Sequence, residues 1–422
     1  MDQKRLALEA IRNKLVGKKL TYKEIYAVMD EISQNKLGDI LTTYFAASGY
    51  AEGFSNEEIY FLTKAMIETG EKLHFPGIVA DKHSIGGMPG TRTTLIIVPI
   101  IAAAGFTIPK SSSRAITTPS GTADTMEVLS PVEFSEKQIY NIVHKTNGCI
   151  VWGGSFNIAP ADDILIKVEA PLSFESYDKI LVSIMAKKVA FGSTHVVIDL
   201  PYGPTVKVHY LKDAITLKTK FENLAKKFNI KIRVLINVVE EPAGNGIGPV
   251  LEARDALLVL EQKPDRPLSL EKKSLFLAGN LLELCLEDTT ATKREGIKKL
   301  YGSCHEWATR ILQSGGALQK MQEIIRMQGG KPITSSNLHP GKLSYNFTAN
   351  KNQSIKTIHN KNITIIARIL GSPTYKKAGI FFHKKIGDNI TKNDIIYTLY
   401  SENMYNLKEA KESLEKFPII AF

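Results

Sequence analysis

The sequence predicts an α/β protein with a small all-helical lobe, a larger α/β lobe around a mostly parallel sheet, and a C-terminal α+β domain. Two observations predict this architecture. From about residue 76, short apolar strands alternate with long helical segments, as in the βαβ units of parallel sheets. Before that point, apolar residues recur at spacings of three and four, which indicates helices. We place the helical lobe at residues 1–75 and 159–193, the α/β lobe at 76–158 and 194–341, and the C-terminal domain at 342–422.

Two helix starts in the first lobe are marked by capping boxes. Thr21 is followed three residues later by Glu24, and Ser55 is followed three residues later by Glu58. In such a box the hydroxyl and the carboxylate satisfy exposed amides at the first helical turn. We therefore expect helices to begin immediately after Thr21 and Ser55.

The α/β lobe begins with the segment "PGIVADKHS", which we predict to be a buried strand. A glycine-rich loop, the apolar helix "TTLIIVPIIAAAGF" and a second strand, "TIPKSS", follow it. Further predicted strands are residues 149–154, 195–203 and 230–238, and further predicted helices are 177–192 and 248–262. Beyond residue 342, "NITIIARILG", "KKAGIFFHKKIGD" and "DIIYTLYSE" are predicted as strands and "MYNLKEAKESLEKF" as a closing helix.

The composition indicates a globular chain with an anionic partner. The 422 residues include 54 Lys and Arg against 43 Asp and Glu, for a net charge of +11. This excess favours nucleic acid or a phosphorylated metabolite, but the basic residues are spread out, which disfavours a dedicated nucleic-acid binder. No apolar run is long enough for a membrane span, and the N-terminus does not resemble a signal peptide. The three cysteines form no disulfide framework, so we expect a reducing cytoplasm.

The first segment that can carry chemistry is "ADKHSIGGMPGTRTT", residues 80–94, of which residues 85–94 are called the glycine loop. A glycine-rich turn between a strand and a helix allows backbone amides to approach an anion. Lys82 stands at the strand end, and Ser84, Thr93 and Thr94 offer hydrogen-bond donors. The loop lacks the Gly-Lys-Ser/Thr ending of a triphosphate-binding P-loop. A phosphate cradle, a nucleotide-binding turn and a purely structural turn all remain open here.

A second polar segment, "KSSSRAITTPSGTADT", residues 110–125, is called the hydroxyl loop. It holds seven Ser and Thr residues between Ser111 and Thr122, with Arg114 among them. Such residues are often turn formers, but this segment follows the next strand after the glycine loop. Because the carboxyl ends of parallel strands meet at one edge of a sheet, both loops should face one site. We predict that they share an oxyanion, held by hydroxyls and one or two cations.

A third segment, residues 153–188, adds acidic groups and a serine–lysine pair. Ser183 and Lys187 are one helical turn apart and therefore share a helix face, which suits the polar edge of a ring. The acidic residues of the segment are Asp162, Asp163, Glu169 and Glu175. The adjacent aspartates are more typical of a solvated helix start than of substrate contact. A glycine-rich stretch at 243–256 lacks a dinucleotide-binding context, and helix capping with close backbone packing is the better interpretation.

Four motifs together resemble the thymidine phosphorylase and AMP phosphorylase family. They are "DKHS" followed by "GG", "SSRAITTPSGTADTMEVL", "NIAPADD" and "SIMAKK", in this order, and the resemblance runs over nearly the whole chain. The hydroxyl loop, with "WGG" ahead of "APADD", is closer to the AMP phosphorylase-like branch. The additional N-terminal domain usual in that branch is not found here, and Glu175 stands where that branch has an aspartate as proton donor.

The resemblance implies a helical lobe and an α/β lobe that close on substrate from either side, usually within a homodimer or a larger assembly. It maps the phosphate-binding positions onto Lys82, Ser84, Thr94, Ser112 and Thr122. It maps the substrate contacts onto Gly87, Ser113, Arg114, Ala115, Ile116, Thr117, Thr118, Ser183 and Lys207, and the base-binding lysine onto Lys187. His83 corresponds to the family's histidine beside the base, whereas the base-binding arginine has no clean counterpart.

The implied activity is phosphorolysis of the N-glycosidic bond of a nucleoside or nucleoside 5′-monophosphate, with inorganic phosphate as co-substrate and no metal or other cofactor. We expect Lys82 to hold phosphate, Glu175 to protonate the departing base, and His83 with Lys187 to polarise a carbonyl of a pyrimidine base. A 5′-monophosphate would require a second anion site, for which Arg114 or Lys207 is suited. The alternatives are a phosphoribosyltransferase of related fold and a non-catalytic RNA-binding relative.

Overall fold

The structure is a computed structural model that describes residues 3–51, 53–115, 118–169 and 176–422. It confirms the predicted fold class. A helical lobe shares a hydrophobic core with an α/β lobe of parallel strands, and antiparallel strands form the C-terminal sheet. Among the described residues, no helix combines the length and the apolar character that a membrane crossing needs.

The helical lobe opens at the N-terminus and confirms both predicted capping boxes. Glu24 N donates to Thr21 Oγ1 at 3.4 Å, and Thr21 N donates to the Glu24 carboxylate at 2.8 Å. The box of Ser55 and Glu58 has the same pattern, and Glu58 also forms a buried ion pair with Lys14 at 2.9 Å. The helices of this first part are α1 (Gln3–Leu15), α2 (Tyr22–Ser33), α3 (Gly38–Ala51) and α4 (Asn56–Glu68).

The first part of the α/β lobe alternates strands and helices, as predicted. Its elements are β1 (Ala80–Ser84), α5 (Thr94–Ala103), β2 (Ile108–Ser112), α6 (Thr122–Met126), α7 (Glu136–Thr146) and β3 (Gly148–Trp152). β2 and β3 pair in parallel, from Ile108 opposite Gly148 to Ser112 opposite Trp152. α5 is buried at nearly every position, as expected of a helix that is apolar on all sides.

The chain then returns to the helical lobe through α8 (Pro160–Glu169) and α9 (Tyr177–Ala190). α8 contacts α2 and α3, and α9 contacts α4. Their buried side chains, among them Leu165, Leu181 and Met185, join one core cluster with side chains of the N-terminal helices. The helical lobe is therefore assembled from two separate segments of the chain.

The second part of the α/β lobe completes the parallel sheet. Its elements are β4 (His195–Tyr202), α10 (Leu211–Lys227), β5 (Lys231–Val238), β6 (Gly246–Ile247), α11 (Pro249–Leu260), α12 (Leu268–Leu286), α13 (Ala291–Tyr301), α14 (Cys304–Gln313) and α15 (Gly316–Met327). β4 pairs in parallel with both β1 and β5, and β1 meets β2 through a parallel bridge between Val79 and Thr107. The strand order is thus β3-β2-β1-β4-β5, which brings the glycine loop, the hydroxyl loop and the loop after β4 to one edge.

The glycine-rich stretch at 243–256 follows β5, contains β6 and continues into α11, and its backbone packs closely against side chains. The Asp255 carboxylate accepts hydrogen bonds from Asn245 N at 2.6 Å and Gly246 N at 2.7 Å. A Cβ on Gly246 would lie 2.7 Å from atoms of Leu251. The capping and close-packing interpretation of this stretch agrees with these contacts.

The C-terminal segment forms an antiparallel sheet with helices on it. Its elements are β7 (Leu343–Thr348), β8 (Gln353–Ser354), β9 (Thr357–Ile358), α16 (Asn360–Ile369), β10 (Gly379–Phe382), β11 (Asn389–Ile390), β12 (Ile395–Ser401), α17 (Met404–Ser413) and β13 (Ile420–Ala421). The main sheet has the order β6-β10-β12-β7, so the short strand β6 of the α/β lobe extends it. The two parts of the chain are therefore joined through main-chain hydrogen bonds.

One predicted strand in this segment is wrong. The residues "NITIIARILG" lie largely in helix α16. Isoleucine favours strands because it is β-branched, but the buried residues here are Ile363, Ile366, Ala367 and Leu370. These positions are spaced i, i+3, i+4 and i+7, which is one face of a helix. Burial of that face selects a helix here, although the isoleucines by themselves favour a strand.

Candidate active site

A cavity of about 650 Å³ lies at the carboxyl ends of β1 and β2 and is lined by the helical lobe, the α/β lobe and α16. It brings together most of the residues that the sequence predicted for the site. The predicted residues that line it are Lys82, His83, Ser84, Gly87, Thr94, Ser112, Ser113, Arg114, Thr118, Thr122, Ser183, Lys187 and Lys207. Ala115 does not line it, and Ile116, Thr117 and Glu175 lie outside the described residues.

Lys82, the middle residue of β1, directs its ammonium group toward the start of α5. Its Nζ donates to Thr93 Oγ1 at 2.8 Å, and only 3% of the residue is exposed. Burial lowers the pKa of Lys82 to about 8, although the nearby Asp199 carboxylate acts in the opposite direction. Lys82 is thus a positioned cation whose charge changes near neutral pH.

Asp81 precedes Lys82 in β1 and gathers buried lysines that the sequence motifs did not single out. Its carboxylate accepts a hydrogen bond from Lys188 Nζ at 2.5 Å and lies 3.6 Å from Lys110 Nζ. Burial raises the pKa of Asp81, but Lys110 and Lys188 outweigh it and hold that pKa below its ordinary value. Burial lowers the pKa of Lys110 to about 7. The available signal was that Lys110 opens the hydroxyl loop and that Lys188 directly follows Lys187 in "SIMAKK".

Arg92, in the glycine loop, is another cavity-lining cation that the motifs did not single out. Its guanidinium group donates to Thr122 Oγ1 at 3.2 Å and to the Ser120 carbonyl at 2.8 Å. It also pairs with the buried carboxylate of Glu252 on α11. Arg92 therefore ties the glycine loop to the hydroxyl loop at the cavity. An arginine among glycines and threonines directly before a helix start was the signal that could have found it.

Two of the predicted phosphate-binding hydroxyls already donate to protein acceptors. Ser84 Oγ donates to Asp199 Oδ2 at 2.8 Å, and Ser112 Oγ donates to the Val151 carbonyl at 2.9 Å. A hydroxyl has one proton, so each must turn before it can donate to a phosphate oxygen. The other two predicted hydroxyls belong to the first residues of α5 and α6, where backbone N–H groups also have no partner within the helix.

Glycine is required at two turns beside the cavity. A Cβ on Gly121 would lie 2.4 Å from the Ser113 carbonyl oxygen, within the hydroxyl loop. A Cβ on Gly87, whose φ is +87°, would lie 2.9 Å from Lys207 N. The hydroxyl loop therefore packs on itself, and the glycine loop packs on the loop after β4.

Arg114 is surrounded by carboxylates. Its two terminal nitrogens donate to the carboxylate of Glu127 at 2.9 Å, and one of them also donates to Glu133 at 2.8 Å. Its guanidinium group lies 4.8 Å from the centroid of a Trp152 ring. The hydrogen bonds with Glu127 raise the pKa of Arg114. These pairings offset the charge that Arg114 could otherwise offer to a second anion.

The opposite wall comes from the helical lobe and is organised by Asp162. Ser183 Oγ donates to Asp162 Oδ2 at 2.8 Å, and Lys187 Nζ lies 2.6 Å from the same oxygen. The expectation of a solvated helix start is wrong for Asp162, which is only 3% exposed because α9 packs its polar side chains over it. Burial lowers the pKa of Lys187, but Asp162 and Asp163 outweigh burial and raise it. Lys187 is therefore a charged group held in a defined position.

His83 lies in β1 between these two walls. Burial, reinforced by the ammonium groups of Lys188 and Lys110, lowers the pKa of His83 well below its ordinary value. The imidazole is therefore neutral at physiological pH, with one donor and one acceptor nitrogen. It can polarise a carbonyl by donating a hydrogen bond, but it carries no extra proton to deliver.

Sequence models of known domain families match most of the chain. Residues 8–70 match "Glycosyl transferase family, helical bundle domain", and residues 77–301 match "Glycosyl transferase family, a/b domain". Residues 354–420 match "Pyrimidine nucleoside phosphorylase C-terminal domain". The a/b domain alone spans more than half of the chain.

Curated relatives are similar over nearly the whole chain. A protein named "Putative thymidine phosphorylase" from Legionella pneumophila (strain Paris) is 40% identical over 97% of this chain and 76% of that protein. An AMP phosphorylase from Thermofilum pendens is 42% identical over 97% of this chain and 77% of that protein. An AMP phosphorylase from Methanocaldococcus jannaschii is 42% identical over 97% of this chain and 79% of that protein.

A solved structure shares the fold at low sequence identity. Anthranilate phosphoribosyltransferase from Thermus thermophilus matches 76% of this chain and 99% of its own, with a TM-score of 0.59 and 17% identity. At this identity the match shows the architecture alone. The family models and the relatives at 40% to 42% identity go further: the chain belongs to the glycosyl transferase family that contains the AMP phosphorylases and the thymidine phosphorylases.

Proposed function

We propose that the protein uses inorganic phosphate to cleave the N-glycosidic bond of a nucleoside or a nucleoside 5′-monophosphate. The products would be free base and either (deoxy)ribose 1-phosphate or ribose 1,5-bisphosphate. The main support is a cavity with Lys82 and Arg92 on one wall and Ser183 and Lys187 on the other. The relatives named AMP phosphorylase and thymidine phosphorylase support the same chemistry.

The phosphate would lie against the glycine loop and the hydroxyl loop. Lys82 and Arg92 offer charged donors there, and Lys110 and Lys188 add positive charge around the one carboxylate of Asp81. Excess buried positive charge is costly, and a bound dianion offsets it. Holding phosphate against C1′ of the sugar in this way makes the reaction effectively unimolecular, which removes a large part of the barrier.

The departing base would lie against the opposite wall. One phosphate oxygen forms a bond to C1′ as the C1′–N bond breaks, and the electron pair of that bond passes to the base. For a pyrimidine base, Lys187 and an N–H of neutral His83 would stabilise the negative charge that develops on a carbonyl of the base. We propose Glu175 as the acid that protonates the base nitrogen, which requires burial to raise the pKa of its carboxyl group.

The fold match supports a second candidate, a phosphoribosyltransferase. Such an enzyme joins a base or amine to a phosphoribosyl group and releases diphosphate. We regard it as the alternative because relatives 40% to 42% identical carry phosphorylase names. The two candidates differ in the anion consumed or released and in their need for magnesium.

The direct test is to incubate the purified protein with inorganic phosphate and a panel of nucleosides and nucleoside 5′-monophosphates. Free base is then measured by chromatography, with magnesium present or with a chelator. We expect base release that requires phosphate and is unaffected by the chelator. Absence of base release across the panel contradicts the proposal. Magnesium-dependent consumption of a base with phosphoribosyl diphosphate supports the second candidate instead.

Two variants test the proposed roles. Glu175→Gln should lower kcat by about 100-fold or more, which is the usual scale of general acid catalysis. Lys82→Ala should raise the KM for phosphate by about tenfold or more, because a charged hydrogen bond is lost. Lys392→Ala is the control, since Lys392 is exposed and does not line the cavity. Near-normal turnover of Glu175→Gln excludes it as the acid, and an unchanged phosphate KM excludes Lys82 from the phosphate site.

We also propose that the protein acts as a cytoplasmic homodimer without a metal or other cofactor. Support for a dimer comes from α1 and α3, which contact each other. Ile40 and Tyr44 of α3 are 75% and 54% exposed, and Val16, directly after α1, is 71% exposed. Apolar side chains grouped on a surface are typical of an interface between proteins. Light scattering should give twice the chain mass, and Ile40→Glu should shift the protein toward the monomer. A monomeric wild-type protein contradicts the dimer.

A further inference from the structure

We propose that Lys376 of the C-terminal segment is a positioning residue for the candidate oxyanion site, because it holds the hydroxyl loop through Asp124 and Glu127. This inference rests on the proposed function and goes beyond it, since it gives the C-terminal segment a part in anion binding. Lys376 lies between α16 and β10 and does not line the cavity. It therefore acts through the loop and not by contact with the substrate.

The buried carboxylate of Asp124 sets the shape of the hydroxyl loop. One of its oxygens, Oδ2, accepts hydrogen bonds from Ala115 N at 2.7 Å and from Gly121 N at 2.8 Å. The turn between these two residues is thus closed on a single atom. Thr118 and Gly121 belong to this turn and line the cavity. Their positions in the cavity wall therefore depend on where Asp124 is held.

Two cations face the other oxygen of Asp124. Arg114 and Lys376 each place a side-chain nitrogen 3.5 Å from Oδ1. A buried carboxylate is costly unless cations accompany it. Arg114 belongs to the hydroxyl loop itself and moves with it, whereas Lys376 comes from a different part of the chain. Lys376 can therefore fix the loop relative to the rest of the protein.

Glu127, one turn after Asp124, strengthens this contact. Lys376 Nζ lies 2.7 Å from Glu127 Oε2, and Arg114 donates to both oxygens of the same carboxylate at 2.9 Å. The hydrogen bonds from Arg114, and the further one from Lys376, lower the pKa of Glu127 to about 2, although burial acts in the opposite direction. Glu127 is therefore charged at neutral pH, and it joins the two cations in one network.

The main chain around Lys376 is anchored on both sides. The Lys376 carbonyl accepts from Val250 N, in the first turn of α11, at 3.0 Å, and the Lys377 carbonyl accepts from Gly341 N at 2.9 Å. Lys377 N also donates to the Glu402 carboxylate at 3.1 Å. Because the backbone is already fixed, only the side chain of Lys376 has to be ordered, which lowers the entropic cost of the contact.

The first turn of α11 also supports the hydroxyl loop from the cavity side. Glu252 of that turn pairs with Arg92, which lines the cavity and donates to the Ser120 carbonyl at 2.8 Å. Arg92 thus contacts the loop from within the cavity, and Lys376 contacts it from outside. Removal of Lys376 leaves the loop held by Arg92 from one side, with less of the negative charge of Asp124 and Glu127 compensated. Both consequences weaken the binding of an anion.

The test measures anion binding in variants of Lys376. Sulfate is titrated by calorimetry into the wild type, Lys376→Ala, Lys376→Met and Lys376→Arg, and the KM for phosphate is measured by base release. Lys376→Met keeps the apolar part of the side chain, and thermal unfolding checks that each variant is folded. We expect the Ala and Met variants to bind sulfate about three- to tenfold more weakly, the scale of a partly exposed ion pair with one buried partner.

The pattern across the variants identifies a positioning role. The KM for phosphate should rise by the same factor in the Ala and Met variants while kcat stays within about twofold, because Lys376 does not contact the reacting atoms. Lys376→Arg should recover most of the sulfate affinity. Lys377→Ala is the matched control, since Lys377 is the neighbouring exposed lysine and does not line the cavity. It should leave both quantities unchanged.

A double-mutant cycle with Glu127→Gln separates positioning from the mere loss of a positive charge. If Lys376 acts through Glu127, its removal should change the sulfate affinity less in Glu127→Gln than in the wild type. A charge that acts on the anion only at a distance would give the same fold-change in both backgrounds.

The inference is overturned by either of two results. One is a sulfate affinity and a phosphate KM that stay unchanged in both Lys376→Ala and Lys376→Met, and the other is an equal fold-change in the two backgrounds of the cycle. Both leave the proposed function standing, provided that the wild type releases base. Conversely, the expected loss of sulfate affinity in a protein that releases no base supports the role of Lys376 and refutes only the phosphorolysis.

Discussion

Replacing Lys110 by arginine changes the pH range over which the cavity can bind an oxyanion. Lys110 is 5% exposed, lines the cavity, and shares the Asp81 carboxylate with Lys188. Burial lowers the pKa of Lys110 to about 7 and that of Lys82 to about 8. Arginine keeps its charge throughout this range. Both lysines lose their charge as the pH rises, so anion binding should weaken with increasing pH in the wild type and less so in Lys110→Arg.

The size of the effect follows from the two pKa values. From about pH 6.5 to about pH 8.5, the charged fraction of Lys110 falls roughly 25-fold and that of Lys82 roughly fourfold. An anion that binds only when both are charged therefore loses roughly 100-fold in affinity over this interval. In Lys110→Arg only Lys82 still loses its charge over this interval, so the loss of anion affinity should shrink to roughly fourfold.

The assay is calorimetric titration with sulfate, which keeps both of its charges over this interval, whereas phosphate titrates. Lys356→Arg, at an exposed lysine away from the cavity, is the control and should retain the wild-type slope. Thermal unfolding checks that Lys110→Arg is folded. A sulfate affinity that is independent of pH in the wild type would refute the reasoning, and so would an undiminished slope in Lys110→Arg.

Three other outcomes are expected. Asp162→Asn removes the carboxylate 2.6 Å from Lys187 Nζ. In steady-state kinetics it should raise the KM for the nucleoside or nucleotide about 10- to 100-fold and leave the KM for phosphate nearly unchanged. Equal changes in both KM values would contradict the assignment of the base and the phosphate to separate walls. Gly121→Ala places a methyl group 2.4 Å from backbone atoms of the hydroxyl loop and should cost about 1–3 kcal/mol of stability in denaturant unfolding. Gly296→Ala, with no atom within 4 Å of the new methyl group, should be neutral or stabilising, and comparable stability of the two variants would show that the loop adapts. The ring signals of His83 in NMR spectra should not titrate between about pH 6 and about pH 8, since its pKa is lowered well below its ordinary value; a midpoint in that interval would show that the imidazole gains charge.

Local sequence patterns were sufficient to predict the strands, helices and loops that carry the candidate active site. Thr21 and Ser55 begin helices because a capping box joins residues three positions apart, and Lys82 ends up beside a glycine turn because the strand, turn and helix signals are consecutive. The same reasoning failed for the segment at α16. Its isoleucines favour a strand locally, and only the packing of Ile363 and Ile366 in the C-terminal core selects a helix.

The chain by itself determined the fold class, the strands and helices that flank the two polar loops, and those loops, because each of these depends on interactions between near neighbours in sequence. Only the tertiary structure decided which charges share the cavity. Asp81 meets Lys188 across 107 positions, Arg92 meets Glu252 across 160, and Asn360 meets Thr205 across 155. Partners so far apart in the chain form no recognisable sequence motif. The burial that shifts the pKa values of these groups also arises only when the lobes pack together.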